Sequence, residues 1–159
     1  MGERVLCRRR RGALIVLAAA LSSAASAVAA EKAAVMVWAI QATKSNDKIS
    51  PELKPIAKQL KRQVKFTGYR VVKKVSGSVE FGKPHRASLV GGYKAELTPL
   101  SQSKGRIKLR AKITERVGKK EVQRVNTSFT IPKGKFQLVG GWKFPGKPDD
   151  VLILAISAR

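Results

Sequence analysis

Cysteine is almost missing from this chain: its 159 residues hold one, Cys7. That excludes a disulfide framework and any multi-cysteine metal or redox site. Histidine is as scarce, with His85 alone. A single imidazole without cysteine partners does not build the usual zinc site. As a general base it would need a nucleophile and an orienting carboxylate, and Ser88 lies close only in sequence. Beside Pro84, His85 is expected in a surface loop. Acidic residues are few, 10 against 33 Lys and Arg. Asp149-Asp150 is the only adjacent acidic pair, and a calcium site needs about six oxygens, so a polar turn before a strand is the reading. Glu115 and Glu121 flank a hairpin turn and are expected to pair with nearby lysines. No GxxxxGK[ST] or GxGxxG follows a strand and opens a helix, so no phosphate loop is present. With no catalytic, metal or cofactor constellation, a non-enzymatic protein is expected.

What the chain does have begins with its leader. Arg4 and Arg8 to Arg11 form a basic front. Ala13–Leu17 and an Ala/Ser-rich stretch to Ala30 carry no charge, and Ala27-Val28-Ala29 fits the small-x-small pattern of signal peptidase. Residues 1–30 therefore read as a signal peptide cut after Ala29 or Ala30. An uncleaved anchor is the alternative, but beyond Leu21 the run is mostly Ala and Ser. Cys7 precedes the apolar run, where a lipoprotein cysteine would not sit. Export to the periplasm or the cell surface follows, with no membrane span left after cleavage.

The remainder, 31–159, is one domain's worth of chain, long enough for a core. It carries 28 basic and 9 acidic residues, a formal charge of +19, and no cysteine. Such a charge favours anionic surfaces such as acidic lipid, acidic polysaccharide or acidic protein, and says little about fold.

Ala33–Thr43 is apolar on both alternating faces, as in a buried strand. After the polar loop Lys44–Lys48, Ser50 and Pro51 mark a helix start. Leu53, Ile56, Ala57, Leu60 and Val64 share one helical face, and Lys54, Lys58, Lys61 and Arg62 the other. The helix is placed over about 51–65, with a looser first turn ahead of Pro55. Short strands are expected at Tyr69–Val75, Ser78–Phe81, Arg86–Val90 and Tyr93–Leu97. The clearest strand is Arg106–Thr114, where Ile107, Leu109, Ala111 and Ile113 alternate with Lys108, Arg110 and Lys112. Val117-Gly118-Lys119 turns into Arg124–Ile131. Pro132-Lys133-Gly134 reads as a tight turn pairing that strand with Phe136–Val139. Phe144–Asp150 is a Pro/Gly loop, and Val151–Ser157 is again apolar on both faces. The fold class is α+β: a mainly antiparallel sheet, its first and last strands central, with one helix packed on one face.

Two local features stand out. Leu89-Val90-Gly91-Gly92-Tyr93-Lys94 recurs as Leu138-Val139-Gly140-Gly141-Trp142-Lys143, which suggests two equivalent corners where glycines bend the chain and an aromatic packs over the bend. The second feature is a cationic stripe. Lys108, Arg110 and Lys112 project from one strand face about 6–7 Å apart, and Lys119, Lys120 and Arg124 would extend it across the hairpin. This row could track an anionic partner. It lacks the interleaved aromatics of a single-strand nucleic-acid platform, so nucleic acid is not the expected partner.

The segment 93–159 resembles the β-domain of secretins, the ring-forming outer-membrane proteins of bacterial secretion systems. The resemblance rests on Leu97-Thr98-Pro99 followed by Ser103–Leu109, on Asn126–Ile131 leading through Gly134 to Gln137-Leu138-Val139-Gly140-Gly141, and on the closing strand Asp150–Arg159. The Asn126–Gly141 stretch corresponds to a hairpin in that family. Nearly the whole mature chain also resembles small exported bacterial proteins of unknown function. The chain has no room for the ring-stacking domains of secretins and no uncharged alternating hairpin for a lipid-facing barrel. The resemblance therefore implies fold rather than pore formation. The resulting expectation is an accessory or structural binding module of the envelope, partnered by an envelope protein. The alternative is a cationic module adsorbing to anionic lipid or polysaccharide.

Overall fold

The structure, a computed structural model, describes residues 30–159. The expected signal peptide, apart from Ala30, and Cys7 lie outside the described residues.

Among the described residues, eight strands form two four-stranded antiparallel sheets. The strands are β1 (Lys32–Thr43), β2 (Gly68–Glu80), β3 (His85–Ser88), β4 (Tyr93–Ser103), β5 (Arg106–Val117), β6 (Lys120–Pro132), β7 (Phe136–Phe144) and β8 (Lys147–Ala158). One sheet runs β2-β1-β8-β7 and the other β3-β4-β5-β6. One helix, α1 (Lys54–Gln63), follows a single 3₁₀ turn over Pro51–Leu53. The looser turn arises where Pro55 enters, since its missing N–H and fixed φ suit only the start of a regular helix. Helix, first sheet and second sheet stack as three layers.

This layering explains the two kinds of strand seen in the sequence. β1 and β8 lie side by side at the middle of the first sheet. Their Val35, Val37, Ala39, Leu152, Leu154 and Ile156 face the second sheet across the main core. Their alternate residues Ile40, Ala42, Ile153 and Ala155 face the helix. Both faces are covered, so both alternating sets are apolar. A ten-residue helix is marginal by itself; Leu53, Ile56 and Leu60, all buried, each add roughly 2 kcal/mol by leaving water and hold the Lys-rich helix down.

The second sheet has only one covered face. Ile107, Leu109, Ala111 and Ile113 of β5 are fully buried, with Ala95 and Leu97 of β4 beside them. The intervening side chains face solvent. β4 continues to Ser103, past the expected end at Leu97. Pro99 is tolerated because β3 stops opposite Lys94–Leu97, so its missing N–H leaves no strand neighbour unpaired.

Several local expectations are corrected. The single sheet is two. Tyr69–Val75 and Ser78–Phe81 are one strand, because Gly77 sits in line in β2 and leaves room for the His85 ring: a Cβ there would lie 2.3 Å from its Cε1. His85 is accordingly the half-buried first residue of β3 rather than a surface-loop residue, and its Nε2 is buried without a partner among the described residues. The Phe144–Asp150 loop shrinks to a turn at Pro145-Gly146. Asp150 is a buried residue of β8, not part of a polar turn.

The largest correction is at Pro132-Lys133-Gly134. It turns tightly, but among the described residues β6 pairs only with β5 and β7 only with β8. The turn carries the chain between sheets. Its Lys133 N–H donates to the Gly105 carbonyl of the second sheet at 3.0 Å, and its Gly134 N–H to the Ala158 carbonyl of the first at 2.9 Å. Asn126–Gly141, expected as one hairpin, is thus split between opposite layers.

Candidate anionic-partner face

The outer face of the second sheet is built from every other residue of β4, β5 and β6. On β5 the burial of the odd-numbered positions turns Lys108, Arg110 and Lys112 outward; Lys108 and Arg110 are exposed and Lys112 half-buried. The same alternation carries Arg106 before them and Arg116 after them, both exposed. The sequence reading stopped the row short at both ends, although the signal was the same two-residue period. From Arg106 to Arg116 the row spans about 33 Å of strand.

What flanks this row decides its electrostatics. Arg110 lies between Thr98 of β4 and Ser128 of β6, and Lys108 between Ser101 and Thr130. These neighbours are short and uncharged. The glutamates of this sheet are engaged elsewhere: Glu96 with Arg86 at 2.8 Å, Glu115 with Arg124 at 2.5 Å, and Glu121 with Lys94. The Lys94 ammonium holds the Glu121 carboxyl below its ordinary range, mainly by hydrogen bonding, with smaller help from Arg116 and Lys112. Lys112 therefore shares in neutralising Glu121. Among the described residues, no ion pair involves Lys108 or Arg110.

The remaining stripe residues lie away from the Lys108–Lys112 centre of the row. Lys119 lies in the β5–β6 turn, and Lys120, opposite Val117, begins β6. They are about 20 Å along the hairpin from Arg110 by strand geometry. Arg124 reaches Glu115, which occupies the odd-numbered, inward-facing register of β5. Lys108, Arg110 and Lys112 are brought together; Lys119, Lys120 and Arg124 are not.

The two Gly-Gly-aromatic units are structurally unlike. Gly91 and Gly92, with φ of 60° and 83°, make the tight turn from β3 to β4, closed by the Leu89 N–H on the Tyr93 carbonyl at 2.8 Å. Gly140 and Gly141, with φ of 143° and 103°, form a bulge inside β7. They belong to different sheets, yet the units meet: the Tyr93 and Trp142 rings stack with centroids 5.8 Å apart. Gly91 also packs on the β7–β8 turn, where a Cβ would fall 1.8 Å from Pro145 Cγ. The stacked pair joins the two sheets.

Sequence reasoning missed a second polar cluster. Asp150, buried in β8, accepts a hydrogen bond from the Gln41 amide at 2.5 Å, and Arg70 donates to the Gln41 Oε1 at 2.8 Å. The Thr43 hydroxyl, then the Gln41 amide, lower the Asp150 pKa against the opposing effect of burial. No signal in the Asp149-Asp150 pair told which acid would face inward; the strand register alone does so. Among the described residues no three His, Cys, Asp or Glu side chains gather as a metal site requires, and no helix is long and apolar enough to cross a membrane.

No protein-family model matches the chain, and no curated protein matches it.

Proposed function

We propose that this is a non-enzymatic, exported binding module of the cell envelope that engages an anionic partner through the outer face of its second sheet. The observation that carries the reading is the middle of the β5 row, where Lys108 and Arg110, outside every ion pair among the described residues, stand among Ser and Thr while the glutamates of the same sheet are already paired. Folding a chain with 33 basic and 10 acidic residues does not by itself require that segregation. Cations spread among carboxylates would serve solubility, whereas a row with short neighbours gives an anionic surface direct access. Export is supported by the basic, apolar and small-residue order of residues 1–30. The secretin-like reading of 93–159 rests on the order of its strands and supplies no activity.

The test is binding of the purified protein to vesicles containing an anionic lipid and to an acidic polysaccharide, over a range of salt. Binding should weaken steeply as salt rises. Replacing Lys108, Arg110 and Lys112 together by Gln should weaken adsorption to the vesicles about 100-fold, since each basic side chain near an anionic surface contributes about 1 kcal/mol. An affinity unchanged by the triple substitution, for vesicles and polysaccharide alike, rules the row out.

A further inference from the structure

We infer that the free edge of β6 is a strand-addition site for an extended, acidic segment of a partner protein. The inference rests on the anionic-partner reading above and specifies how such a partner is seated.

β6 ends its sheet: among the described residues it pairs with β5 along one side and with nothing along the other. The register says which of its groups are left open. The β5–β6 turn is the two residues Gly118-Lys119, so its closing pair, Val117–Lys120, exchanges both backbone hydrogen bonds, and every second pair after it does the same. The one-residue shift between Ile113 and Thr114 moves the alternation onto Val125, Thr127, Phe129 and Ile131. Pro132, with no N–H to give, falls at the complementary position opposite Arg106. Asn126, Ser128 and Thr130 therefore aim their N–H and C=O groups away from β5, toward solvent.

Exposed edges are normally blunted by charges, prolines, bulges or covering loops. The other long edges here are. The start of β2 is covered by the loop before α1, through Tyr69 N–H to the Lys48 carbonyl and Ser50 N–H to the Tyr69 carbonyl, and its middle carries Lys73 and Lys74. β7 is broken by the Gly140-Gly141 bulge, and Gln59 of α1 occupies its Phe136 carbonyl. β3 is only four residues long. On β6 the bulge at Arg124 and the terminal Pro132 bracket an interval, Val125–Ile131, without charge, proline or glycine. The protection stops where an added strand would lie.

The chemistry around the interval specifies the occupant. An added strand would lie about 10 Å from β5, two strand spacings away. The intervening outer side chains, Asn126, Ser128 and Thr130, are short. The long arms of Lys108, Arg110 and Lys112 can reach over them to carboxylates on the incoming strand's outer face. On the inner face the newcomer would stand beside Val125 and Phe129, both only half-buried. The partner segment thus alternates acidic and apolar residues. A second copy of this chain fits poorly, because its own β6 offers no acid between Gln123 and Pro132 and would bring a second cationic row.

The experiment uses the purified protein and a synthetic decapeptide of alternating Val and Glu, with a decamer of Glu alone as control. Amide hydrogen exchange read by NMR should show Asn126, Ser128 and Thr130 gaining protection with the alternating peptide, while Val125, Thr127 and Phe129, already paired to β5, change little. Ser128→Pro, which removes an edge donor but no β5–β6 bond, should weaken peptide binding roughly tenfold or more, the loss of one or two edge hydrogen bonds. Thr130→Pro replaces it if that variant does not fold, and the protection pattern needs no variant. Binding that leaves the three amides unprotected, yet falls on neutralising Lys108, Arg110 and Lys112, overturns strand addition and spares the cationic-face reading. Protection that persists with the row neutralised overturns the acidic occupant. Concentration-dependent dimerisation of the protein alone, abolished by the same proline, assigns the edge to a second copy and overturns the proposal as well.

Discussion

Tyr93→Leu and Trp142→Leu, made singly and together, test whether the two sheets are joined where the Gly-Gly-aromatic units meet. Tyr93 is 3% exposed on β4, and Trp142 is half-buried on β7 of the opposite sheet. Their rings stack at 5.8 Å with 26° between planes. Leucine keeps part of the apolar volume and removes the ring contact. Each single variant should lose on the order of 1–3 kcal/mol, and the aromatic pair is worth about 0.5–1.5 kcal/mol beyond its burial. The double variant should therefore be less destabilised than the two losses combined by about that 0.5–1.5 kcal/mol. Urea unfolding followed by circular dichroism measures all four proteins, and Trp38 remains as a fluorescent reporter throughout. An unchanged dependence on urea would show that the same surface is exposed on unfolding. Tyr93→Phe is the control: it keeps the stack and loses the contacts of the hydroxyl with the Lys143 carbonyl, weak at 3.5 Å, and with Glu115, so its stability should fall by no more than about 1.5 kcal/mol. Losses that add to within about 0.3 kcal/mol would mean that the rings do not meet across the sandwich, and the packing of the two sheets described above would be wrong.

Three further outcomes follow from individual contacts. Gly91→Ala combines a positive φ with a Cβ driven into Pro145 and should cost more than about 2 kcal/mol, whereas Gly118→Ala, with a similar φ of 63° and open space, should cost only about 1 kcal/mol; equal thermal shifts for the two would refute the Gly91–Pro145 contact. Leu154→Ala, in the fully buried middle of β8, should lose about 2–5 kcal/mol in chemical denaturation, and a loss below about 1 kcal/mol would place β8 outside the core. Asp150 has its folded pKa lowered by Thr43 and Gln41, so its carboxylate adds stability above the unfolded value of about 3.9 and loses it as pH falls through the lower folded value. Asp150→Asn should therefore flatten the acid limb of the stability profile below about pH 4, and thermal melts with an identical acid limb in both proteins would contradict the buried contact.

Much of the local structure was legible. The alternation of Ile107, Leu109, Ala111 and Ile113 with basic residues placed β5 and its outward row because side-chain direction in a strand is a two-residue period, independent of what the strand pairs with. The double-sided apolar character of Ala33–Thr43 and Val151–Ser157 gave two central strands, and they do lie side by side. Pro55 marked where the regular helix begins. The misreadings share one cause. Pro132-Lys133-Gly134 carries the residues of a hairpin turn, but a turn's residues fix only how sharply the chain bends and not which strand lies beside the next one. Asp149 and Asp150 are chemically identical neighbours, and only the pairing of β8 with β1 turns one toward Gln41 and leaves the other in solvent.

The sequence by itself determined the periodic properties of this protein: which faces are apolar, where the chain bends, where the helix starts and how strongly basic the surface is. These are set within a few residues by side-chain alternation, proline and glycine geometry, and composition. The tertiary structure alone decided that there are two sheets, that Tyr93 meets Trp142, that the glutamates of the second sheet are drawn to Arg86, Lys94 and Arg124, and that β6 keeps an open edge beside the Lys108–Lys112 row. Each of these depends on pairing between segments far apart in the chain, where backbone hydrogen bonding is indifferent to residue type and packing of the whole makes the choice.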